Sequence, residues 1–191
     1  MTRVAGIDLA FRRNSCGLAI GDPAPVPRVP RRTILFVREW QPTGSALVPS
    51  ATCAEIAAEC ERWGVTIAAA DGHYIETLRE AMDAVHIALV DAPSRPSDAW
   101  LPMQEDVIED EIDIIEHERL RLQMQAVKFT YESGGLVKVH QDVASDGSHG
   151  DIASAVVLAD WLMREGADTG RILGGRVQRT EFSRAHRTRI G

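Results

Sequence analysis

The sequence is poor in cysteine and has no segment typical of a membrane or secreted protein. Its three cysteines, Cys16, Cys53 and Cys60, form no CxxC pair. This spacing argues against a zinc site or a disulfide framework and favours a reducing cytoplasm. No apolar run reaches the roughly 18 residues that a membrane-spanning helix needs. Met1–Arg3 lead directly into a strand-like segment, so no secretory signal is expected.

Negative charge predominates, but it is unevenly distributed. The formal net charge of −7 would by itself argue against a nucleic-acid partner. Phosphate binding depends on local charge, so the distribution matters more than the total. The segment Gln104–Glu118 contains eight acids and no Lys or Arg, whereas residues 171–191 contain six arginines and one acid, Glu181. Both segments could also be solvated surface without a further role.

Strand patterns dominate the beginning of the chain. The 191 residues fit one domain, and a hydrophobic content of 45% allows a substantial core. Apolar runs at Val4–Ala10, Cys16–Gly21 and Thr33–Trp40 predict three strands, the first two joined as a hairpin across a polar stretch. Four prolines within Asp22–Pro30 predict a loop, because proline lacks the donor that a strand needs.

Helix and strand patterns alternate in the middle of the chain. Thr52 can cap a helix that runs to Trp63, with Glu55 as its capping-box partner and Gly64 as the stop. Strands that are apolar throughout and separated by helices indicate parallel pairing. The segments that follow are predicted as a strand at Val65–Ala70, a helix at Tyr74–Ala84 and a strand at Val85–Val90.

Helices are expected to dominate the last third of the chain. The predicted elements are a loop at Pro93–Pro102, a mainly helical stretch from Gln104 to Ala126, a hairpin or flap within Lys128–His140, and an apolar helix at Asp151–Met163. No internal repeat and no second domain is evident. The resulting order is three strands, then helix, strand, helix, strand, then helices, which indicates a mixed α/β sheet with helices on both faces.

Three acids stand at apolar strands. Asp8 is the one charged residue of Val4–Ala10, and Asp71 and Asp91 each follow an apolar strand. A carboxylate in such a position is costly to bury unless a cation, an arginine or a lysine compensates its charge. Each of the three could instead be a structural group or cap a loop. Asp71 is preferred over Asp91, because a fourth strand lying beside the first would make Asp8 and Asp71 neighbours.

A fourth acid begins the apolar helix near the end of the chain. Asp151 is followed by the small residues Ala153, Ser154 and Ala155, which would let the helix approach the sheet closely. Asp151 could then reach the same cations as Asp8 and Asp71, although an acid at a helix N-terminus is also common without any ligand. Hard divalent ions, Mg²⁺ or Mn²⁺, fit such a carboxylate cage, and two ions can promote hydrolysis of a phosphodiester. Possible auxiliary groups are His149 and Asp146.

These segments resemble the nuclease domain of bacteriophage large terminases, a ribonuclease H-like fold. The resemblance extends from Val4 to about Leu162 and depends on the order and spacing of short motifs. The matching stretches are Gly6–Ala10, Ala70–Tyr74 and Ser148–Ala155, with weaker similarity at Glu118–Arg121 and Gly134–Val137.

The resemblance implies a metal-dependent endonuclease that cuts double-stranded DNA during viral genome packaging. It implies two divalent ions, Mg²⁺ or Mn²⁺, held by Asp8, Asp71 and Asp151 as catalytic residues. A motor ATPase and portal or capsid components would be its partners, and the cytoplasm would be that of the host. The resemblance implies an antiparallel set of three strands joined to parallel strands in a domain at residues 1–170, followed by a basic tail at residues 171–191.

Two departures from the family pattern bear on this interpretation. No GxxxxGK[ST] phosphate loop is present, so the chain would be an excised nuclease domain, a separate subunit or a relative with another task. Gly150 and Ile152 flank Asp151 where some relatives have a further acid, which bears on occupancy of the second metal position.

Basic residues are candidates for phosphate contacts, and other functions remain open. The candidates are Arg12, Arg13, Lys128, Lys138 and the arginine tail, which we predict raises DNA affinity. The alternatives are another ribonuclease H-like nuclease, of the resolvase or transposase type, and a non-catalytic DNA-binding or assembly module. An actin-like ATPase is disfavoured, because residues 11–15 do not form the Gly- and Thr-rich phosphate hairpin that it needs.

Overall fold

The computed structural model describes residues 2–11, 15–23, 31–134 and 136–165. The elements in chain order are β1 (Arg3–Leu9), β2 (Cys16–Asp22), β3 (Arg32–Trp40), α1 (Pro49–Arg62), β4 (Val65–Gly72), α2 (Ile75–Ala84), β5 (Ala88–Asp91), α3 (Ser97–Ile108), β6 (Ile112–Ile114), α4 (Glu118–Gln125), β7 (Val127–Tyr131), β8 (Val137–Gln141) and α5 (Asp151–Glu165). Among these elements no helix is long and apolar enough to cross a membrane.

Six of the strands form one mixed sheet in the order β5-β4-β1-β2-β3-β6. Strand β2 is antiparallel to both β1 and β3, whereas β4 is parallel to β1 and β5 is parallel to β4. Strand β6 adds a short parallel edge beside β3. The remaining strands, β7 and β8, form a separate antiparallel hairpin. The predicted topology, with an antiparallel opening set joined to parallel strands, is confirmed.

Side chains alternate between two cores, one on each face of the sheet. Along β1, Ala5, Ile7 and Leu9 are buried in one core, and Val4 is buried in the other. The first core is covered by α1 and α2, and the second by α3, α4 and α5. Helix α5 is buried along most of its length because it lies across β1 and β2 beneath α3 and α4. Helices therefore cover both faces, as predicted.

The segment between β5 and the β7–β8 hairpin differs from the prediction. The predicted loop Pro93–Pro102 is wrong, since α3 begins at Ser97 and contains Pro102. The predicted continuous helix from Gln104 to Ala126 is also wrong: α3 ends, β6 pairs with β3, and α4 then starts afresh at Glu118. Burial of Ile112 at the sheet edge outweighs the helical spacing of the isoleucines.

The start of α1 and the extent of β5 also differ from the prediction. Helix α1 begins at Pro49, three residues before Thr52, and its first turn has no side-chain cap. The predicted capping box is therefore wrong: Thr52 is buried inside the helix, and Glu55 accepts a hydrogen bond of 2.8 Å from the Trp40 indole. Gly64 follows with a left-handed φ of 67°, as a helix stop requires. Strand β5 starts at Ala88 rather than at residue 85.

Candidate metal centre

Asp8 and Asp71 are neighbours at one edge of the sheet. Strands β1 and β4 are parallel, and their register pairs Asp8 directly with Asp71 near the carboxyl ends of both strands. The predicted adjacency of these two residues is therefore confirmed. Asp91 pairs with Ala70 one strand further out, where Arg79 donates a hydrogen bond of 3.1 Å to its carboxylate. Asp91 thus has a charge partner of its own.

Two glycines let α5 approach the sheet closely. A Cβ on Gly6 would lie well inside 3.0 Å of the Ala155 carbonyl oxygen, and a Cβ on Gly17 would lie equally close to that of Asp151. Gly17 is the antiparallel partner of Asp8 across the β1–β2 pair. The first residue of α5, Asp151, is therefore held next to the strand that carries Asp8, and it is 5% exposed.

The carboxyl groups of Asp8 and Asp151 have raised pKa values. The pKa of Asp8 is raised to about 7 by burial and, to a smaller extent, by the charges of Asp151 and Asp71, against the opposing effect of a hydrogen bond from Ser154. Burial also raises the pKa of Asp151, and a hydrogen bond from Ser15 opposes that shift. Neighbouring carboxylates that raise the pKa of Asp8 place like charges close together, and a cation would offset their repulsion.

The orientation of the carboxylates bears on how a metal would fit. Among the described residues, no three His, Cys, Asp or Glu side chains already stand in a metal-coordinating arrangement. Asp71 is exposed, and its Oδ1 accepts a hydrogen bond of 2.7 Å from the backbone N–H of Gly72. One oxygen of Asp151 is engaged by Ser15 at 2.7 Å. The donor set suits a hard divalent cation, and an exposed Asp71 side chain is free to rotate towards one.

A polar network behind Asp151 was not predicted from the sequence. The Ser15 hydroxyl lies 2.7 Å from Asp151 Oδ2 and 2.5 Å from Glu39 Oε1. A hydroxyl has one hydrogen, so it donates to one carboxylate at a time and holds the two close together. Glu39 in turn accepts hydrogen bonds from Arg119 at 2.7 Å and from Gln41 at 2.6 Å. This network, Ser15–Glu39–Arg119, connects α4 to the first residue of α5.

A second polar pair lies on the other side of the site. Ser154 and Gln141 exchange hydrogen bonds of 2.8 and 3.1 Å, which fixes the end of β8 against α5. Together with Asp71 and Trp100 they line a cavity of about 70 Å³. Ser154 also supports the ionised form of Asp8. The sequence indicates that a small residue at position 154 allows close packing, but it does not predict the hydrogen bonds that Ser154 forms.

The two auxiliary candidates differ in their surroundings. His149 is exposed, and its charge lowers the pKa of Asp151, which places it within electrostatic reach of the site. Asp146 forms an ion pair with Arg119 at 3.2 Å and accepts hydrogen bonds from Ser148, whose hydroxyl is 2.6 Å away. The Asp146 carboxylate thus holds the loop that precedes α5.

The predicted phosphate contacts fall into two groups. Lys128 and Lys138 are exposed on the β7–β8 hairpin, where they form ion pairs with Asp142 and Glu132. Arg12, Arg13 and the basic tail at residues 171–191 lie outside the described residues.

Comparison with known proteins gives structural matches. No family model and no curated protein matches the sequence. The HK97 bacteriophage large terminase matches with a TM-score of 0.66 and 17% identity over 83% of this chain and 38% of that one. The large terminase nuclease of thermophilic phage G20c matches with a TM-score of 0.63 and 14% identity over 83% and 80% of the two chains. The chain has the fold of large terminase nuclease domains.

A third match carries information about ligands. The nuclease domain of the large terminase subunit gp2 of bacterial virus Sf6, solved as a K428A mutant with manganese and beta-thujaplicinol, matches with a TM-score of 0.61. Its identity is 10% over 83% of this chain and 87% of that one. The G20c nuclease is also known with bound magnesium and with bound cobalt. The predicted ribonuclease H-like fold is confirmed, and this chain spans 38% of the length of the HK97 large terminase.

Proposed function

We propose that this chain is a metal-dependent endonuclease domain that hydrolyses double-stranded DNA, as in viral genome packaging. One observation carries the proposal. Asp8 and Asp71 are paired near the carboxyl ends of β1 and β4, and Asp151 on α5 lies close enough for its charge to raise the pKa of Asp8, in a fold shared with terminase nuclease domains. Among the described residues, no arginine or lysine forms an ion pair with any of the three.

The three aspartates are the proposed metal ligands and catalytic residues. A pair of divalent ions, Mg²⁺ or Mn²⁺, supplies Lewis acidity when bound, favouring attack by water and stabilising charge on the leaving oxygen of a phosphodiester. Asp8 contributes a carboxylate held in a rigid strand. Asp71, whose side chain is exposed, would contribute a second. Asp151 contributes a third, with Ser15 holding its orientation. No protein nucleophile is needed.

Support for the metal comes from the chemistry of the site and from the relatives. Burial and the charges of Asp151 and Asp71 together raise the pKa of Asp8 to about 7, and the charge of a divalent cation would offset the repulsion between these carboxylates. Structural relatives are known with magnesium, cobalt and manganese. His149 is proposed as an auxiliary group that binds phosphate or assists proton transfer. Asp146 is a weaker proposal, because Arg119 and Ser148 already engage it.

The proposed partners follow from the same family. Basic residues from three parts of the chain are proposed to contact DNA phosphates. They are Lys128 and Lys138 on the exposed hairpin, Arg12 and Arg13 before β2, and the basic tail. A motor ATPase domain or subunit and portal or capsid components are the proposed protein partners, acting in the host cytoplasm. The nuclease domain is proposed to be residues 1–170, followed by the tail at residues 171–191.

The decisive experiment compares Asp8 with Asp91, an aspartate at the end of β5, which is separated from β1 by β4. Supercoiled plasmid is incubated with the wild-type chain, Asp8→Asn and Asp91→Asn, each with Mn²⁺, with Mg²⁺ and with EDTA. Wild type and Asp91→Asn are expected to nick and linearise the plasmid in the presence of metal. Asp8→Asn is expected to do neither, while its circular dichroism spectrum stays that of wild type. Asp91 is a matched control because it ends a parallel strand of the same sheet, beside β4, and forms an ion pair with Arg79.

Two results of DNA-binding and cleavage assays would favour one of the alternative functions. Binding of DNA without cleavage at any metal concentration would identify a non-catalytic DNA-binding or assembly module. Preferential cutting of branched junctions over linear duplex would identify a nuclease of the resolvase type. Cutting of linear duplex without sequence preference is the result that the proposal expects.

A further inference from the structure

A large apolar groove, to whose lining none of the three aspartates contributes, lies between α3, β6, α4 and β7. Its volume is about 930 Å³, and we call it the α3–α4 groove. Its apolar lining includes Met103, Val107, Ile108, Ile115, Met124 and Phe129. Nothing in the proposed metal chemistry uses this groove.

Several apolar side chains of the groove are exposed next to one another, which is rare on a solvent-exposed surface. Ile108 is 75% exposed, Val107 is 52% exposed and Ile115 is 40% exposed. Single exposed apolar residues are common, but a contiguous apolar patch in a large groove is typical of a binding surface. The side chains therefore indicate that another segment covers the groove.

The rim of the groove carries uncompensated negative charge. Glu116 lines the groove, and Glu109 and Glu111 lie within three residues of its lining residue Ile108; we call these three acids the rim. All three are exposed, and among the described residues none of them has an ion-pair partner. The neighbouring acids Asp110 and Asp113 both pair with Arg31. An occupant with apolar side chains for the groove and positive charges for the rim would satisfy both features.

The described part of the chain ends close to this rim. Helix α5 ends at Glu165, and Arg164 donates a hydrogen bond of 3.2 Å to the Ala99 carbonyl of α3. Arg164 also lies 3.5 Å from Asp106, which directly precedes the groove residues Val107 and Ile108. A further 26 residues follow, of which residues 166–170 alone can span roughly 16 Å when extended.

The sequence that follows α5 has the composition that the groove requires. Residues 171–191 contain six arginines and one acid, which complements the acidic rim. Apolar residues alternate with the arginines, among them Ile172, Leu173, Val177 and Phe182. We propose that the segment 171–191 binds the α3–α4 groove of its own chain, with apolar side chains in the groove and arginines on Glu109, Glu111 and Glu116. This proposal does not depend on the proposed nuclease activity.

Site-specific photo-crosslinking of the full chain tests the proposal. Ile108 is replaced by p-benzoylphenylalanine, the protein is irradiated, and the cross-linked peptides are identified by mass spectrometry. The expected product is a monomer in which position 108 is joined to a peptide from residues 171–191. The matched control carries the same group at Val48, which is 61% exposed and precedes α1 on the other face of the sheet. The control is expected to give no such peptide.

Charge variants then separate docking from random collision. With the photoreactive group at position 108, Glu109→Gln, Glu111→Gln and Glu116→Gln combined are expected to lower the intramolecular yield several-fold. Glu61→Gln, Glu80→Gln and Asp83→Asn combined remove the same charge from α1 and α2 and are expected to leave the yield unchanged.

Several outcomes would overturn the proposal. A cross-linked dimer would assign the groove to a second copy of the chain. Equal yields of the tail peptide from positions 108 and 48, or no tail peptide at all, would show that the segment does not bind there. Equal loss of yield in both charge variants would show that the rim acids have no specific part.

Discussion

Gly17 on β2 lies directly against the main chain of Asp151, the first residue of α5. Any Cβ at position 17 would collide with the Asp151 carbonyl group and approach the backbone nitrogen of Ile152. These neighbours are backbone atoms, which cannot move aside as a flexible side chain can. Gly17 is also the cross-strand partner of Asp8. The distance between two of the candidate ligands therefore depends on the absence of a side chain at this position.

We predict that Gly17→Ala weakens metal binding more than its effect on stability would suggest. Displacing the first turn of α5 costs about 1–3 kcal/mol of unfolding free energy, as overpacking generally does, and moves Asp151 away from Asp8. Calorimetric titration with Mn²⁺ and urea denaturation measure the two effects. Gly44→Ala is the control. An alanine at position 44 would be strained by the left-handed φ of 79°, but its Cβ would have no neighbouring atom within 4 Å. It should lose stability while retaining wild-type metal affinity.

Ser15 gives a second prediction, because it orients Asp151 while contributing no charge. Ser15→Ala is expected to lower Mn²⁺ affinity about 10-fold, a typical effect of removing a hydrogen-bond partner of a metal ligand. Ser45→Ala, an exposed serine after β3, is the control. Unchanged affinity in Ser15→Ala would show that packing alone orients Asp151. Ser15→Thr, which retains the hydroxyl, should recover most of the affinity if the hydrogen bond is responsible.

The carboxylate cluster should itself destabilise the metal-free protein. Asp8 is partly buried, and this burial, with the charges of Asp151 and Asp71, raises its pKa to about 7. In EDTA at pH 8 we expect Asp8→Asn to be more stable than wild type by about 1 kcal/mol, as replacement of a strained functional group often is. Urea denaturation measures this difference. A less stable Asp8→Asn variant would mean that other groups already compensate the carboxylate, which would remove the electrostatic reason for a metal.

Much of the sheet could be predicted from local patterns. Asp8 is a candidate because it is the one charge within an apolar run, and Asp71 because it follows one; the expectation that the two are neighbours comes from a topology in which the fourth strand lies beside the first. The small residues after Asp151 indicated close packing of α5, which Gly6 and Gly17 allow. These signals are local, and each has a direct physical cause in burial or in close approach of backbones.

Contacts between distant segments could not be predicted in this way. Ser15, Glu39 and Arg119 come from three separate elements, and nothing in the neighbouring sequence shows that their side chains meet. Strand β6 has only three residues, and the spacing of Ile108, Ile112 and Ile115 resembles that of a helix. Its pairing with β3 depends on an open sheet edge, which is a property of the assembled fold.

A buried charge cluster at the far end of α5 gives a prediction for pH. Burial raises the pKa of Asp160 to about 6, although Arg164 and Arg32 lie 3.0 and 3.2 Å from its carboxylate. The folded protein therefore binds more protons than the unfolded chain between about pH 4 and pH 6. Unfolding free energy should fall as pH rises through this window, by at most about 1.4 kcal/mol per pH unit for one proton.

The measurement is a comparison with Asp160→Asn, which cannot titrate. Urea denaturation at pH 4.5, 5.5 and 6.5 gives the difference in unfolding free energy between the two proteins. Wild type should lose stability relative to Asp160→Asn as the pH rises. A constant difference across the three values would mean that the two arginines hold Asp160 ionised throughout the window.

The basic tail should raise DNA affinity only in the fraction of molecules in which it is not bound to the α3–α4 groove. Deleting residues 171–191 is expected to weaken DNA binding and to reduce the slope of log affinity against log salt by about 0.9 for each phosphate that the arginines no longer neutralise. Combined Glu109→Gln, Glu111→Gln and Glu116→Gln should strengthen binding in the full chain, because the arginines are no longer held at the rim. Fluorescence anisotropy with a labelled duplex measures both effects. The control is the same three substitutions in the chain that lacks residues 171–191. An equal gain in DNA affinity there would mean that the substitutions act by changing the net charge, because the segment that they are expected to release is missing.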